Sequence, residues 1–193
     1  MLIFGFGTLT PEYFLRKSIV LKCKPNPITM LKKIGIVLVL ALVVIQFFRP
    51  EKNNSNDLTY DITTKYEVPE EVDKILRVSC NDCHSNNTVY PWYAEVQPVG
   101  WWLNDHIEHG KGHLNFSEFT KRPVAIQNHK FEETVEMVEE KEMPLKDYTY
   151  FGLHPEANLT DEQRQTLIRW AKDQMTYLAK TYPADSLVMP SRR

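Results

Sequence analysis

The sequence predicts an all-α protein of about four helices behind one N-terminal hydrophobic span, and three observations predict it. Apolar residues recur at the three-to-four-residue spacing of a helix face in four separate segments, the pattern of amphipathic helices packed on a common core. No run of useful length alternates apolar and polar residues as a half-buried strand would, and no internal repeat is present. Ahead of the four segments, Ile34 to Ile45 is unbroken by any polar side chain.

That apolar run belongs to Leu31–Phe48, LKKIGIVLVLALVVIQFF. As a helix it covers about 27 Å, enough to cross the hydrocarbon core when Lys32 and Lys33 snorkel. A helix of a globular core would show a polar face, and this one has none. A signal peptide shares the basic-then-apolar pattern. Here, however, Gln46, Phe47, Phe48, Arg49 and Pro50 stand where a small-x-small cleavage site belongs, so residues 31–48 read as an uncleaved transmembrane anchor. Residues 1–30 read as a cytoplasmic leader, or as untranslated if the start is Met30, which would give the compact opening MLKKIGIVLVL. Cys23 follows Val20, Leu21 and Lys22 rather than small residues and is no lipidation site. Six basic residues precede the apolar run, which places the N-terminus in the cytoplasm and the remainder outside.

Residues 49–66 are polar and Asn-rich, the composition of a linker. A folded domain is expected over 67–182 and a tail over 183–193. Its first helix, VPEEVDKILRVSC, has Pro69 at the first helical position, acids in the first turn and Val68, Val72, Ile75, Leu76 and Ser79 on one face. The second, QPVGWWLNDHIEHG, has Pro98 early and Gly110 as its stop. The third runs from Val124 to Glu142, with Phe131, Val135 and Val138 on one face and glutamates around the other, and Pro144 ends it. The fourth opens on a capping box, Thr160 with Gln163, and carries Leu167, Trp170, Ala171, Met175 and Leu178 as its buried stripe.

Charge narrows the function. Residues 1–50 carry a net charge of +6 and residues 51–193 of −8, so the folded part lacks the basic footprint that nucleic acid requires. Three cysteines exclude a disulfide scaffold.

Two of them stand in Cys80, Asn81, Asp82, Cys83, His84, which spell C-x-x-C-H. The logic of that pattern is chemical. Two thiols so spaced can form thioethers to the two vinyl groups of haem while the adjacent imidazole reaches the iron. Three other readings stand beside it. A thioredoxin-like redox pair wants a preceding strand in a βαβ setting, a zinc site wants two further ligands, and a Cys80–Cys83 disulfide leaves His84 unexplained.

From Cys80 onward the sequence is similar to the CxxCH-containing haem-binding domain family of bacterial exported and membrane-anchored proteins, itself cytochrome c-like. The matching stretches are CNDCHSNNTVYPWY, QPVGWWLNDHIEHGKGHLNFSEF, EEKEMPLKDYTYFGLHPEANLT and DEQRQTLIRWA. The resemblance implies one covalent haem c on Cys80 and Cys83, with His84 as the proximal iron ligand.

Met143, directly before Pro144, is the expected distal ligand, by an arrangement similar to that of class I cytochromes c. Its competing role is to fill a gap in the core. His113 and His154 are its rivals, while His106, His109 and His129 read as surface or structural residues. Tyr90, Trp92, Tyr93, Trp101 and Trp102 read equally as haem-pocket walls or as plain core. The glutamates of the third helix read first as a solvated face and second as a means of steering a basic redox partner. The expectation is a single-pass inner-membrane protein whose C-terminal domain faces the periplasm and transfers one electron. It is an electron carrier rather than an enzyme, with a haem-based sensor or a peroxidase-like enzyme as the alternatives.

Overall fold

The computed structural model describes residues 26–149 and 154–189, so Cys23 and most of the leader lie outside the described residues. The chain divides into two compact units, Met1–Ala41 and Leu42–Arg193. The described residues contain helices and no strand, with one isolated bridge pairing Asn54 and Asn87. The class is all-α, as predicted.

Helix α1, Pro27–Ile45, is long and apolar enough to cross a membrane, and none of its residues is buried. It starts before the predicted Leu31, with Met30 in its first turn, and ends before Phe48. The amides of Gln46, Phe47 and Phe48 instead reach carbonyls three residues back, a tightened turn in which the helix stops.

In the second unit, α2 (Glu70–Ser79), α5 (Val124–Glu139) and α7 (Asp161–Thr181) enclose the core. Each presents the predicted apolar positions: Val72, Ile75 and Leu76 from α2, Phe131 and Val138 from α5, and Leu167, Trp170, Ala171 and Leu178 from α7 are all buried. Aromatic edges lock the centre. Phe131 lies 5.0 Å from Tyr66 and 5.6 Å from Trp170, edge to face in both cases. The Trp170 indole donates to the Glu67 carbonyl at 2.9 Å, so its buried N–H is met. The capping box of α7 is present in both directions, Thr160 with Gln163. Pro69 is the N-cap of α2, one position before the place predicted for it.

Two helix ends differ from expectation. Helix α4, Val99–His113, passes through Gly110 rather than stopping there. The glycine serves a close approach instead: a β-carbon at 110 would sit 2.5 Å from the Cys83 carbonyl oxygen. Helix α5 ends at Glu139 rather than Glu142, because Lys141 turns the chain at a φ of 61°. The amides of Glu142 and Met143 then fold back onto the Met137 carbonyl at 3.0 and 3.1 Å. Two short helices, α3 (Asn81–His84) and α6 (Lys146–Thr149), are too brief for periodicity to reveal.

The largest difference concerns residues 49–66, read from composition as a linker. Ile62 and Tyr66 are core residues, and the segment before them is bonded along the loop that follows α3. Asn53 donates its backbone N–H to the Tyr90 hydroxyl at 2.8 Å and accepts from the Thr88 amide at 3.0 Å. Asn56 donates to the Asn86 carbonyl at 3.2 Å. Asn-rich composition here supplies side-chain hydrogen bonds, not freedom. Part of the segment read as a tail is also folded, with Ala184–Leu187 forming a turn and Leu187 packing on the core.

Candidate functional site

The site grows out of the junction between α2 and α3. Cys80 caps the end of α2 and the start of α3 together. The amides of Cys83 and His84 donate to its carbonyl at 3.1 and 2.9 Å. This single tight turn gathers Cys80, Cys83 and His84 on one short stretch, as the C-x-x-C-H spacing predicts. Both thiols are free and half-buried.

His84 is oriented by backbone. Its Nδ1 lies 3.0 Å from the Gly110 carbonyl and 2.9 Å from the Leu114 carbonyl. Carbonyl oxygens only accept, so Nδ1 carries the proton and Nε2 is left with its lone pair. Burial lowers the His84 pKa, with the positive groups of His113 and Lys130 acting in the same direction, while the two carbonyls partly oppose them. The imidazole is therefore held neutral, in the tautomer and orientation that a metal ligand needs. Gly110 makes this possible, since any larger residue would push α4 off the Cys83 backbone. Phe116 closes one side of the ring, edge-on at 6.5 Å.

The thiols do not resemble a redox pair. A catalytic C-x-x-C depends on a lowered thiol pKa. Here burial, followed for Cys80 by its neighbour Cys83 and for Cys83 by its neighbour Asp82, raises Cys80 to about 12 and Cys83 to about 11. Nor do zinc ligands gather around them: among the described residues, no group of three His, Cys, Asp or Glu side chains converges.

Asp82, between the cysteines, ties the motif to two other parts of the unit. One carboxylate oxygen accepts from the Val89 amide at 2.9 Å and the other from the Tyr148 hydroxyl at 3.0 Å. Tyr148 stacks on His154 with centroids 4.5 Å apart and planes at 18°, and the edge of Tyr93 meets the same imidazole at 5.9 Å. His154 Nδ1 is 2.9 Å from a Glu156 carboxylate oxygen. Its Nε2 is buried and has no hydrogen-bond partner among the described residues, an unmet group of the kind that calls for a ligand.

Met143 lies half-buried in the loop after α5. Its backbone is held on both sides, its amide by the Met137 carbonyl and its carbonyl by the Arg164 guanidinium at 2.9 Å, which also bonds the Val138 carbonyl at 3.1 Å. The loop then runs to Tyr148 and so back to the motif. His113 is exposed and lies in the chain between Gly110 and Leu114, whose carbonyls hold the His84 ring.

The tryptophans read as pocket walls are all partly or largely exposed. Trp92 is 78% exposed, Trp101 39% and Trp102 38%. The Trp101 indole donates to the Phe48 carbonyl at 2.6 Å, and Trp102 packs on His106 at 4.4 Å. Two aromatic residues that sequence reasoning missed stand against the motif: Phe116 faces His84 and Tyr148 bonds Asp82. Neither stands at a diagnostic spacing from Cys80. Only the cysteine pair with its histidine did.

The fold and the motif define a small helical domain with a prepared imidazole and two free thiols. The model of the haem-binding domain family matches residues 40–173, and the chain belongs to that family: it is a haem-binding domain. No curated protein and no solved structure matches the chain.

Proposed function

We propose that the protein is a membrane-anchored monohaem c-type cytochrome that transfers single electrons on the periplasmic side of the inner membrane. The observation that carries this reading is His84, whose Nδ1–H is fixed by two backbone carbonyls beside two free thiols in C-x-x-C-H. Haem, when bound, supplies an iron that changes oxidation state by one electron. Cys80 and Cys83 would hold it, each thiol S–H adding across one of its two vinyl groups. His84 would offer Nε2 to the iron, and burial favours the unprotonated state of that nitrogen. Attachment of this kind takes place on the exported side of a membrane, which agrees with α1 as an uncleaved anchor and with the basic residues ahead of it.

Met143 is the proposed sixth ligand, its loop held by Arg164. With His84 and Met143 both on the iron no position would remain for a substrate, so the protein would act as a carrier and not as an enzyme. Its proposed partner is a basic redox protein. The exposed glutamates at and just after the end of α5, among them Glu136 and Glu140, supply the attracting charge, although Glu133 and Glu139 are already paired with Lys130 and Lys172. A second reading of the distal side rests on the unmet Nε2 of His154. Its Nδ1 partner Glu156 is the kind of carboxylate that orients ligating histidines.

The test is spectroscopic. Protein matured with a cytochrome c assembly system should retain haem through acid-acetone extraction. Cys80→Ala combined with Cys83→Ala should abolish that retention, and extractable haem in the native protein would refute covalent attachment. The oxidised protein should show the weak near-infrared band of sulfur-ligated haem. Met143→Ala should remove the band and admit carbon monoxide, whereas His154→Ala should do neither. The opposite pattern assigns the sixth position to His154, and rapid carbon monoxide binding by the native protein favours a sensor or enzyme.

A further inference from the structure

A second feature of the Leu42–Arg193 unit is unrelated to the iron. The residues immediately after α1 are fastened to the segment 92–102 by a set of specific bonds. Gln46 and Gln97 pair reciprocally: the Gln46 side-chain amide donates to the Gln97 carbonyl at 3.0 Å, and the Gln97 amide donates to Gln46 Oε1 at 2.9 Å. Trp101 donates to the Phe48 carbonyl, and Arg49 and Lys52 both pair with Glu95. Residues 46–52 are therefore bonded into the Leu42–Arg193 unit.

The two stretches joined in this way expose large apolar side chains. Phe47 is 82% exposed and Phe48 64%, and alongside Trp92, Trp101 and Trp102 they are joined by Val96 at 45%. Soluble domains rarely gather so many exposed aromatics. Trp and its aromatic companions are, however, the residues that settle at the headgroup level of a bilayer, where the ring is apolar and its N–H finds a carbonyl. Basic residues rim the same stretch, at Arg49 and Lys52. We infer that Phe47, Phe48, Trp92, Val96, Trp101 and Trp102 form a membrane-seating face. By this face the haem-binding domain rests in the interfacial layer of a phospholipid bilayer rather than swinging above it. The occupant is lipid, because Phe47 and Phe48 follow the last residues of the apolar helix directly in the chain.

This inference rests on the reading of α1 as a membrane anchor, and its experiment separates the two. The full chain carrying Cys23→Ser, matured with haem so that Cys80 and Cys83 are occupied, is reconstituted in phosphatidylcholine and phosphatidylglycerol vesicles. A nitroxide is attached in turn at Leu38→Cys, Trp92→Cys, Val96→Cys and Glu136→Cys, and its collisions with oxygen and with a water-soluble nickel chelate are compared. Position 38 reports the anchor and 136 the solvated face of α5. Oxygen collisions several-fold in excess at 38, 92 and 96, with the nickel chelate dominating at 136, support the seated face. Nickel dominance at 92 and 96 with oxygen dominance at 38 overturns the face and leaves the anchor standing. Protection of 92 and 96 from both reagents overturns it in favour of a protein partner. Nickel dominance at 38 overturns the anchor and the face with it.

Discussion

Residues 85–88, which follow the C-x-x-C-H motif, and residues 141–149, which return to it from the end of α5, meet the motif in different ways. The first are set in a buried polar lattice. Asn53 donates its side-chain amide to the Ser85 carbonyl and the Thr88 hydroxyl, both at 2.9 Å, and accepts from Lys111 at 2.7 Å. Asn86 is bonded to Ser117, Asp57 and Asn115. The second, among the described residues, reach the motif through Tyr148 and Asp82, and are otherwise shaped by Arg164. The difference teaches that His84 is placed by backbone and small buried amides, which have few alternative conformations. The loop of Met143 depends on two long side chains. Under the proposed ligation, His84 would be ready before haem arrives, whereas the loop of Met143 would be left adjustable.

The comparison can be broken most strongly at Gly110. Gly110→Val should drive α4 from the Cys83 carbonyl, cost up to about 3 kcal/mol and reduce haem incorporation, as read by urea unfolding and by haem yield. Asn53→Ala should cost about 2 kcal/mol, since the Ser85 carbonyl, Thr88 and Lys111 lose their shared partner. Neither change should alter the near-infrared band of whatever protein does fold.

On the other side, Arg164→Met should cost about 1.5 kcal/mol, because the Met143 and Val138 carbonyls lose a charged donor. Its larger signature should be spectroscopic, a weakened near-infrared band and faster carbon monoxide binding. Tyr148→Phe should be the mildest, about 1 kcal/mol for one hydrogen bond to a carboxylate, with the ring still stacked on His154. If Asn53→Ala perturbed distal ligation as much as Arg164→Met does, the two sides would not be held independently.

Much of this was legible in the residues themselves. The stripes of α2, α5 and α7 were readable because a helix face repeats every three to four residues whatever surrounds it. The capping box at Thr160 and Gln163 is equally local, and so are the thiol and imidazole spacings of Cys80, Cys83 and His84. The linker reading of residues 49–66 failed because Asn is ambiguous in composition: exposed, it solvates a loop, and buried, it cross-links one. Phe116 and Tyr148 went unread because neither stands at a spacing from Cys80 that marks a contact with the motif.

The sequence by itself determined the helical class, the apolar span and the spacing of the motif, since each depends on residues within a few positions of one another. Tertiary structure alone decided which nitrogen of His84 is free. It also decided that Gly110 is a contact rather than a stop, that Tyr148 meets Asp82, and that the chain after α1 is bonded to the domain. Those outcomes depend on atoms brought together from distant segments, where a carbonyl 26 residues away or an indole 53 residues away supplies the partner, and no local pattern encodes which distant group will arrive.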